Sequence, residues 1–306
     1  MMGQARDIAT AAAGSAPIEL ASACFTITAS PRREILAITT TPRHPREQEL
    51  IGVRAGGASR AALASLMGDI RGSALFQLLD DFAGASLVAP WIWSQWKADW
   101  PVDIDASAAT ANAGRAGQMA DVCTGFAKGS SSLTEAGTAN HAIQSRTEVG
   151  PLEHPDDPEG WHAMPPQSGE QARRARRIDL TLDGDRLRVD AGFQDSGSNP
   201  GGGRTAVHEY HVQATVDAAT MRVVSLAAQP LILPYAECPG AAANVARMIG
   251  RELASLREEV PATLAGPLGC THLNDILRSF ADVPALARHL PRTAELNRIS
   301  EEPSHD

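Results

Sequence analysis

The chain has 306 residues, with 27 Lys and Arg against 36 Asp and Glu, a formal charge of −9; that balance argues against general nucleic-acid binding, which needs a net basic surface. No apolar run reaches the roughly 20 residues of a membrane span, and the first residues lack the basic-then-apolar order of a cleaved signal. Four cysteines without a Cys-x-x-Cys pair suit neither a disulfide scaffold nor a structural zinc module, so the expectation is a cytoplasmic protein with no membrane or nucleic-acid partner, no metal and no other cofactor.

Met1 to Pro17 is rich in Ala, Thr and Gly without apolar periodicity and reads as a loose tail. Leu20–Thr28 and Glu34–Thr41 are β-branched runs separated by Ser30-Pro31, which predicts a strand pair. From Ser59 the pattern turns helical: Leu63, Leu66, Met67 and Ile70 recur at three- and four-residue steps. Leu75, Phe76, Leu78, Leu79 and Phe82 follow, running through Asp80-Asp81. Leu87–Trp93 contains Pro90 and reads as an edge strand or turn. Residues 18–150 thus form an N-terminal α+β region, and the proline-rich stretch 151–172 reads as a loop or lid.

Residues 173–290 are expected to form a sheet-plus-helices domain, followed by a tail over 291–306. Arg173–Arg177 reads as a solvated strand entry. Ile178, Leu180 and Leu182 alternate with polar residues, as do Leu187, Val189, Ala191 and Phe193, with a hairpin signal at Asp183-Gly184-Asp185 between them. In 206–216, His208, Tyr210, Val212, Ala214 and Val216 share one strand face, and Glu209, His211, Gln213 and Thr215 the other. Met221–Ala227 closes an antiparallel meander. A helix starting near Pro239 carries Val245, Met248, Ile249, Leu253 and Leu256 inward. A last helix, capped by Thr271, has the stripe Leu273, Ile276, Leu277 and Phe280. The fold class is α+β, an antiparallel meander packed on helices.

The densest polar cluster is Gly269-Cys270-Thr271-His272-Leu273-Asn274-Asp275. Cys270 precedes the helix and His272 sits in its first turn, where unpaired N–H groups and the dipole favour a thiolate and a neutral imidazole. That predicts His272 as a base, Cys270 beside it and Asp275 near the substrate, against the plainer reading of a tight helix start. His208-Glu-Tyr-His211 is not a zincin motif, because on a strand its histidines face opposite ways. Glu209 with His211 remains an acid–base candidate, and Asp195, at the mouth of the Gly201-Gly202-Gly203 loop, a third. Arg177, Asp179, Arg188, Asp190 and Asp195 are placed on the faces opposite the apolar ones, as cross-strand ion pairs or the lining of a polar site. Trp161, His162 and Tyr210 are candidate substrate contacts, the first two from the 151–172 loop. Trp91, Trp93, Trp96 and Trp100 read as core or interface filling, and Cys238 as a packed apolar residue.

The motifs Arg176-Arg177-Ile178-Asp179, Val207-His208-Glu209-Tyr210, Leu233-Pro234 with Glu237-Cys238-Pro239, and 269–278 (GCTHLNDILR) resemble a bacterial domain-of-unknown-function family, number 2889. The resemblance is best over 173–290, and Phe76–Asp81 and Val122–Phe126 extend it. It implies a place in the catabolism of aromatic compounds, including formaldehyde-releasing lyase steps. The leading expectation is a cofactor-independent lyase using acid–base chemistry on a small, lignin-type aromatic substrate. The alternatives are a non-catalytic binding or accessory protein and a thiol enzyme using Cys270 or Cys238. A homo-oligomer is left open.

Overall fold

Period-two alternation in the second half of the chain builds the larger of two antiparallel sheets. In this computed structural model, residues 1–10, 17–96, 119–153, 157, 159–164 and 169–290 are described. Strands β1 (Met2–Ala9), β2 (Ile18–Ala29) and β3 (Ile35–Thr41) pair in order as one sheet. Met2–Ala9 is therefore not a loose tail. Backbone pairing to β2, from Met2 opposite Thr26 to Ala9 opposite Ile18, fixes an edge strand whose side chains give no apolar alternation to read. Helices α1 (Gly57–Leu66) and α2 (Ala74–Trp96) cover this sheet, burying Phe25, Ile27, Ile38, Leu63, Met67, Phe76 and Phe82 in one core.

Helix α2 also runs through Leu87–Trp93, where an edge strand or turn was expected. Pro90 lies inside it, and the buried Val88 and Ile92, four residues apart, hold the helical face inward. Ile92 lodges where Gly197 leaves no side chain; a Cβ there would overlap it.

The larger sheet comprises β4 (Thr147–Glu148), β7, β6 and β5 in that order, with β8 on the other side of β7. These strands are β5 (Ala172–Asp183), β6 (Arg186–Ser198), β7 (Arg204–Asp217) and β8 (Arg222–Ile232). Their inner face carries Leu187, Val189, Ala191, Phe193, Tyr210, Val212 and Val216 onto α3 (Leu256–Thr263), α4 (Thr271–Ser279) and the 3₁₀ turns of Cys238–Met248. The Pro239 segment is thus 3₁₀ rather than α, and Ile249, at its end, is 46% exposed instead of joining the core. Leu273, Ile276, Leu277 and Phe280 of α4 are all buried.

Between the two cores runs a seam of opposite charges. Arg174 and Arg176 share the inner face of β5 with Ile178 and Leu180, and they are buried, not a solvated entry. Asp80 accepts from Arg257 at 2.8 Å and Arg278 at 2.9 Å. Arg176 pairs with Asp81, Arg60 with Asp275, and Arg257 with Asp282. Gly84 of α2 makes room, since any Cβ there would strike the Arg174 guanidinium. The seam explains why both aspartates of Asp80-Asp81 sit in an otherwise apolar helix. No helix among the described residues is long and apolar enough to cross a membrane.

Candidate functional site

Strand register places two polar groups side by side beneath α4. Asp195 of β6 pairs with His208 of β7, and the register shifts just beyond, between Asp195 and Ser196. Such a bulge locally breaks the ladder and re-aims side chains. Asp195 has the parity of Phe193 and is fully buried on the inner face, not on the face opposite the apolar residues. From above, the α4 start is held by Gly269, whose backbone meets Leu264 so closely that a Cβ would collide with the Leu264 carbonyl. Asn274 donates to that same carbonyl at 2.9 Å. Cys270 is the N-cap residue, accepting from Asn274 N at 2.7 Å; the Thr271 side chain makes no cap bond, being already the first helical residue.

These two constraints drop His272 onto His208. The imidazoles stack with centroids 3.6 Å apart and planes 15° from parallel. His272 Nε2 lies 3.4 Å from Asp195 Oδ2, and its Nδ1 lies 4.0 Å from Cys270 Sγ and 3.3 Å from Thr271 Oγ1. The buried Tyr210 hydroxyl lies against the Cys270 thiol, and His208 Nδ1 is buried without a hydrogen-bond partner. Buried polar atoms are rarely left so, and each such exception calls for an explanation. Phe193 packs against His272 at 6.5 Å, and the Arg174 guanidinium sits 4.8 Å above the Phe193 ring. Arg174 grips Asp195 through two bonds of 2.8 and 2.9 Å and reaches Asp275 at 2.7 Å.

The electrostatics follow from burial. Burial and then Arg174 lower the His272 imidazole to about 3, and burial with the neighbouring His272 lowers His208 well below its ordinary value. Both rings are neutral near pH 7. Burial pushes the Cys270 thiol up to about 11 and Cys238 up to about 12. The helix start therefore does not make Cys270 a thiolate; desolvation outweighs the dipole.

The residues singled out in the sequence divide between two sheet faces. Asp195, Cys270, Tyr210 and His272 meet on the inner face. Asp275 is also inside but is committed to Arg60 and Arg174 in the charge seam, so it is not available to a substrate. Glu209 and His211 lie on the outer face and do not pair with each other. Glu209 accepts from Gln194 Nε2 at 2.7 Å, while His211 Nε2 is 2.8 Å from Asp190, which also accepts from Arg177 at 2.9 Å. Trp161 lies over Gly192 on that outer face, its carbonyl held by Arg6 at 3.0 Å, with the half-buried His162 next in the chain. The 151–172 segment thus anchors on the side away from His272, and its His154 lies outside the described residues.

Of the tryptophans, Trp91 donates to Gln144 at 3.2 Å and Trp96 to the Ser198 carbonyl at 2.9 Å, while Trp100 is outside the described residues. All four cysteines are free thiols. Sequence reasoning passed over His208 and Arg174. The signal for His208 was present in its parity with Tyr210, but rejecting a His208–His211 metal pair removed both histidines from the ligand question together. No metal was expected, yet the donor atoms of His208, Cys270 and His272 all lie within 4.8 Å of one another.

No curated protein and no solved structure matches the chain. Residues 172–286, which hold β5 to β8 and every inner-face residue of the centre, match the family described as "Protein of unknown function (DUF2889)".

Proposed function

We propose that the protein is a lyase that works by acid–base chemistry on a small aromatic substrate at the His208–His272 centre. The observation that carries this reading is a buried imidazole pair with one nitrogen unpartnered and a carboxylate behind the other ring. A buried imidazole held neutral keeps a free lone pair near pH 7, and a nearby carboxylate can set which nitrogen presents it. On this reading His272, with Asp195 3.4 Å from Nε2, is the acceptor through Nδ1. On this reading the Tyr210 hydroxyl returns the proton. Phe193 and Tyr210 give the centre aromatic walls.

On a hydroxymethyl-bearing aromatic compound, the base removes the hydroxyl proton, the carbon–oxygen double bond forms, and formaldehyde leaves. The carbon–carbon pair stays with the conjugated fragment, which is then protonated. Four free thiols agree with work in a reducing cytoplasm. The test is incubation of the full chain with a panel of hydroxymethyl aromatic compounds, read by mass spectrometry and formaldehyde release. Turnover that falls about 10²–10⁴-fold in His272→Ala, with an unchanged circular dichroism spectrum, supports the reading. Turnover indifferent to His272 and His208 overturns it.

A further inference from the structure

We propose that His208, Cys270 and His272 bind a borderline-soft divalent transition-metal ion of the zinc type, leaving one coordination position open. The inference concerns the same centre as the lyase reading but stands on its geometry alone. The three donor atoms lie within 4.8 Å of one another, with Cys270 Sγ 4.0 Å from His272 Nδ1. Around a tetrahedral ion with bonds of about 2.0–2.3 Å, neighbouring ligand atoms sit roughly 3.3–3.6 Å apart. A closure of less than about an ångström brings Cys270 sulfur and the His272 nitrogen to that separation, while the two imidazoles, now stacked face to face, must turn out of their parallel planes for both lone pairs to meet one ion.

Two further observations point to a ligand. His208 is only 9% exposed and its Nδ1 has no hydrogen-bond partner, which is the state of a donor atom built for something else. His272 keeps its other nitrogen, Nε2, 3.4 Å from Asp195, so that a small approach would give the carboxylate–imidazole hydrogen bond that orients ligating histidines. The donor set selects the metal class. One sulfur and two imidazole nitrogens suit zinc-type ions and not the oxygen-seeking Mg²⁺ or Ca²⁺. The nearby cation is already neutralised, for Arg174 faces Asp81, Asp195 and Asp275. Binding replaces the Cys270 S–H bond by a sulfur–metal bond and releases the proton to solvent. Three protein ligands with an open fourth position describe a catalytic rather than a structural site. An ion held there would occupy the His272 Nδ1 lone pair that the lyase reading uses as base and would supply Lewis acidity at the open position instead.

The test uses the full chain, stripped with a chelator and titrated with Zn²⁺ or Co²⁺. The expected result is one ion retained per chain after gel filtration and a thiolate-to-cobalt charge-transfer band. Cys270→Ser should abolish the band, and Cys24→Ser, in the other sheet, should leave it intact. If Cys270→Ser does not fold by circular dichroism, His208→Gln takes its place and should lose the retained ion. Absence of stoichiometric retention in the wild type, or an undiminished band in Cys270→Ser, overturns the inference. An ion retained by a protein that turns over no aromatic compound leaves the metal site standing and removes the lyase. Full turnover by protein that never binds cobalt does the reverse.

Discussion

Two buried polar regions lie within one bond of each other and are built on opposite plans. In the charge seam, Arg60, Arg174, Arg176, Arg257 and Arg278 face Asp80, Asp81, Asp195, Asp275 and Asp282, and each of these carboxylates meets at least one guanidinium. At the His208–His272 centre the imidazoles are neutral and His208 Nδ1 has no partner. Paired buried charges roughly offset their own desolvation, so the seam fixes how the two cores meet more than it adds stability. In the seam Arg60, Arg176 and Arg278 each leave an Nε unpaired but bind carboxylates through their other nitrogens, whereas the unpaired His208 Nδ1 costs stability without that return and marks where function is to be sought. Arg174 and Asp195 belong to both regions, which ties the position of the centre to the docking of the halves.

Arg174 is the residue on which both regions depend most. Arg174→Met leaves Asp195 and Asp275 with a lost partner, and it should destabilise the protein by about 3–5 kcal/mol in a urea titration. A loss under about 1 kcal/mol would mean the seam is not the joint described here.

The next largest effect is in pH. Burial would raise the Asp275 carboxyl, but Arg174 and Arg60 outweigh it and hold it down at about 2. A folded-state value below the unfolded one means the ionised group stabilises the fold above about pH 4, and that contribution is lost as pH falls towards about 2. It amounts to roughly 2 kcal/mol. Asp275→Asn should flatten this part of the stability curve measured by denaturant at stepped pH. A slope unchanged by the substitution would assign the acid sensitivity to other carboxylates.

The smallest effect lies outside both regions. Arg188 and Asp183 pair at 2.6 Å on the β5–β6 hairpin, both well exposed. Arg188→Ala should cost under about 1 kcal/mol, with thermal unfolding barely moved. A larger loss would show that surface pairs matter here as the buried ones do.

Local pattern carried most of the larger sheet. The alternation in 178–193 and 206–216 needs only period-two parity, and the α4 stripe only a helical period, so both can be read residue by residue. The misreadings share one cause, dependence on a distant partner. Met2–Ala9 is a strand because β2 is there to pair with it. Pro90 is tolerated because Ile92 has a glycine-lined recess in β6. Arg174 is buried because α2 and α4 bring aspartates to it. At the site, the Cys270–His272 motif was visible as a cluster, and Asp195 by its loop. Their meeting with His208 depends on a cross-strand register and a helix docking angle, neither of which is written in one stretch of sequence. Glu209 and His211 looked like a pair by proximity in the chain, yet each found its partner on β6, Gln194 and Asp190.

The split origin of the centre has a kinetic consequence. Asp195 and His208 come from adjoining strands of one hairpin, a local pairing, whereas Cys270 and His272 lie far along the chain and meet them only through the docking of α4 on the sheet, the kind of contact expected to form later. Interactions made after the folding barrier slow unfolding and leave the folding rate nearly unchanged. Whatever fills the centre therefore acts as a latch on the last helix, lengthening the lifetime of the native state without hastening its formation.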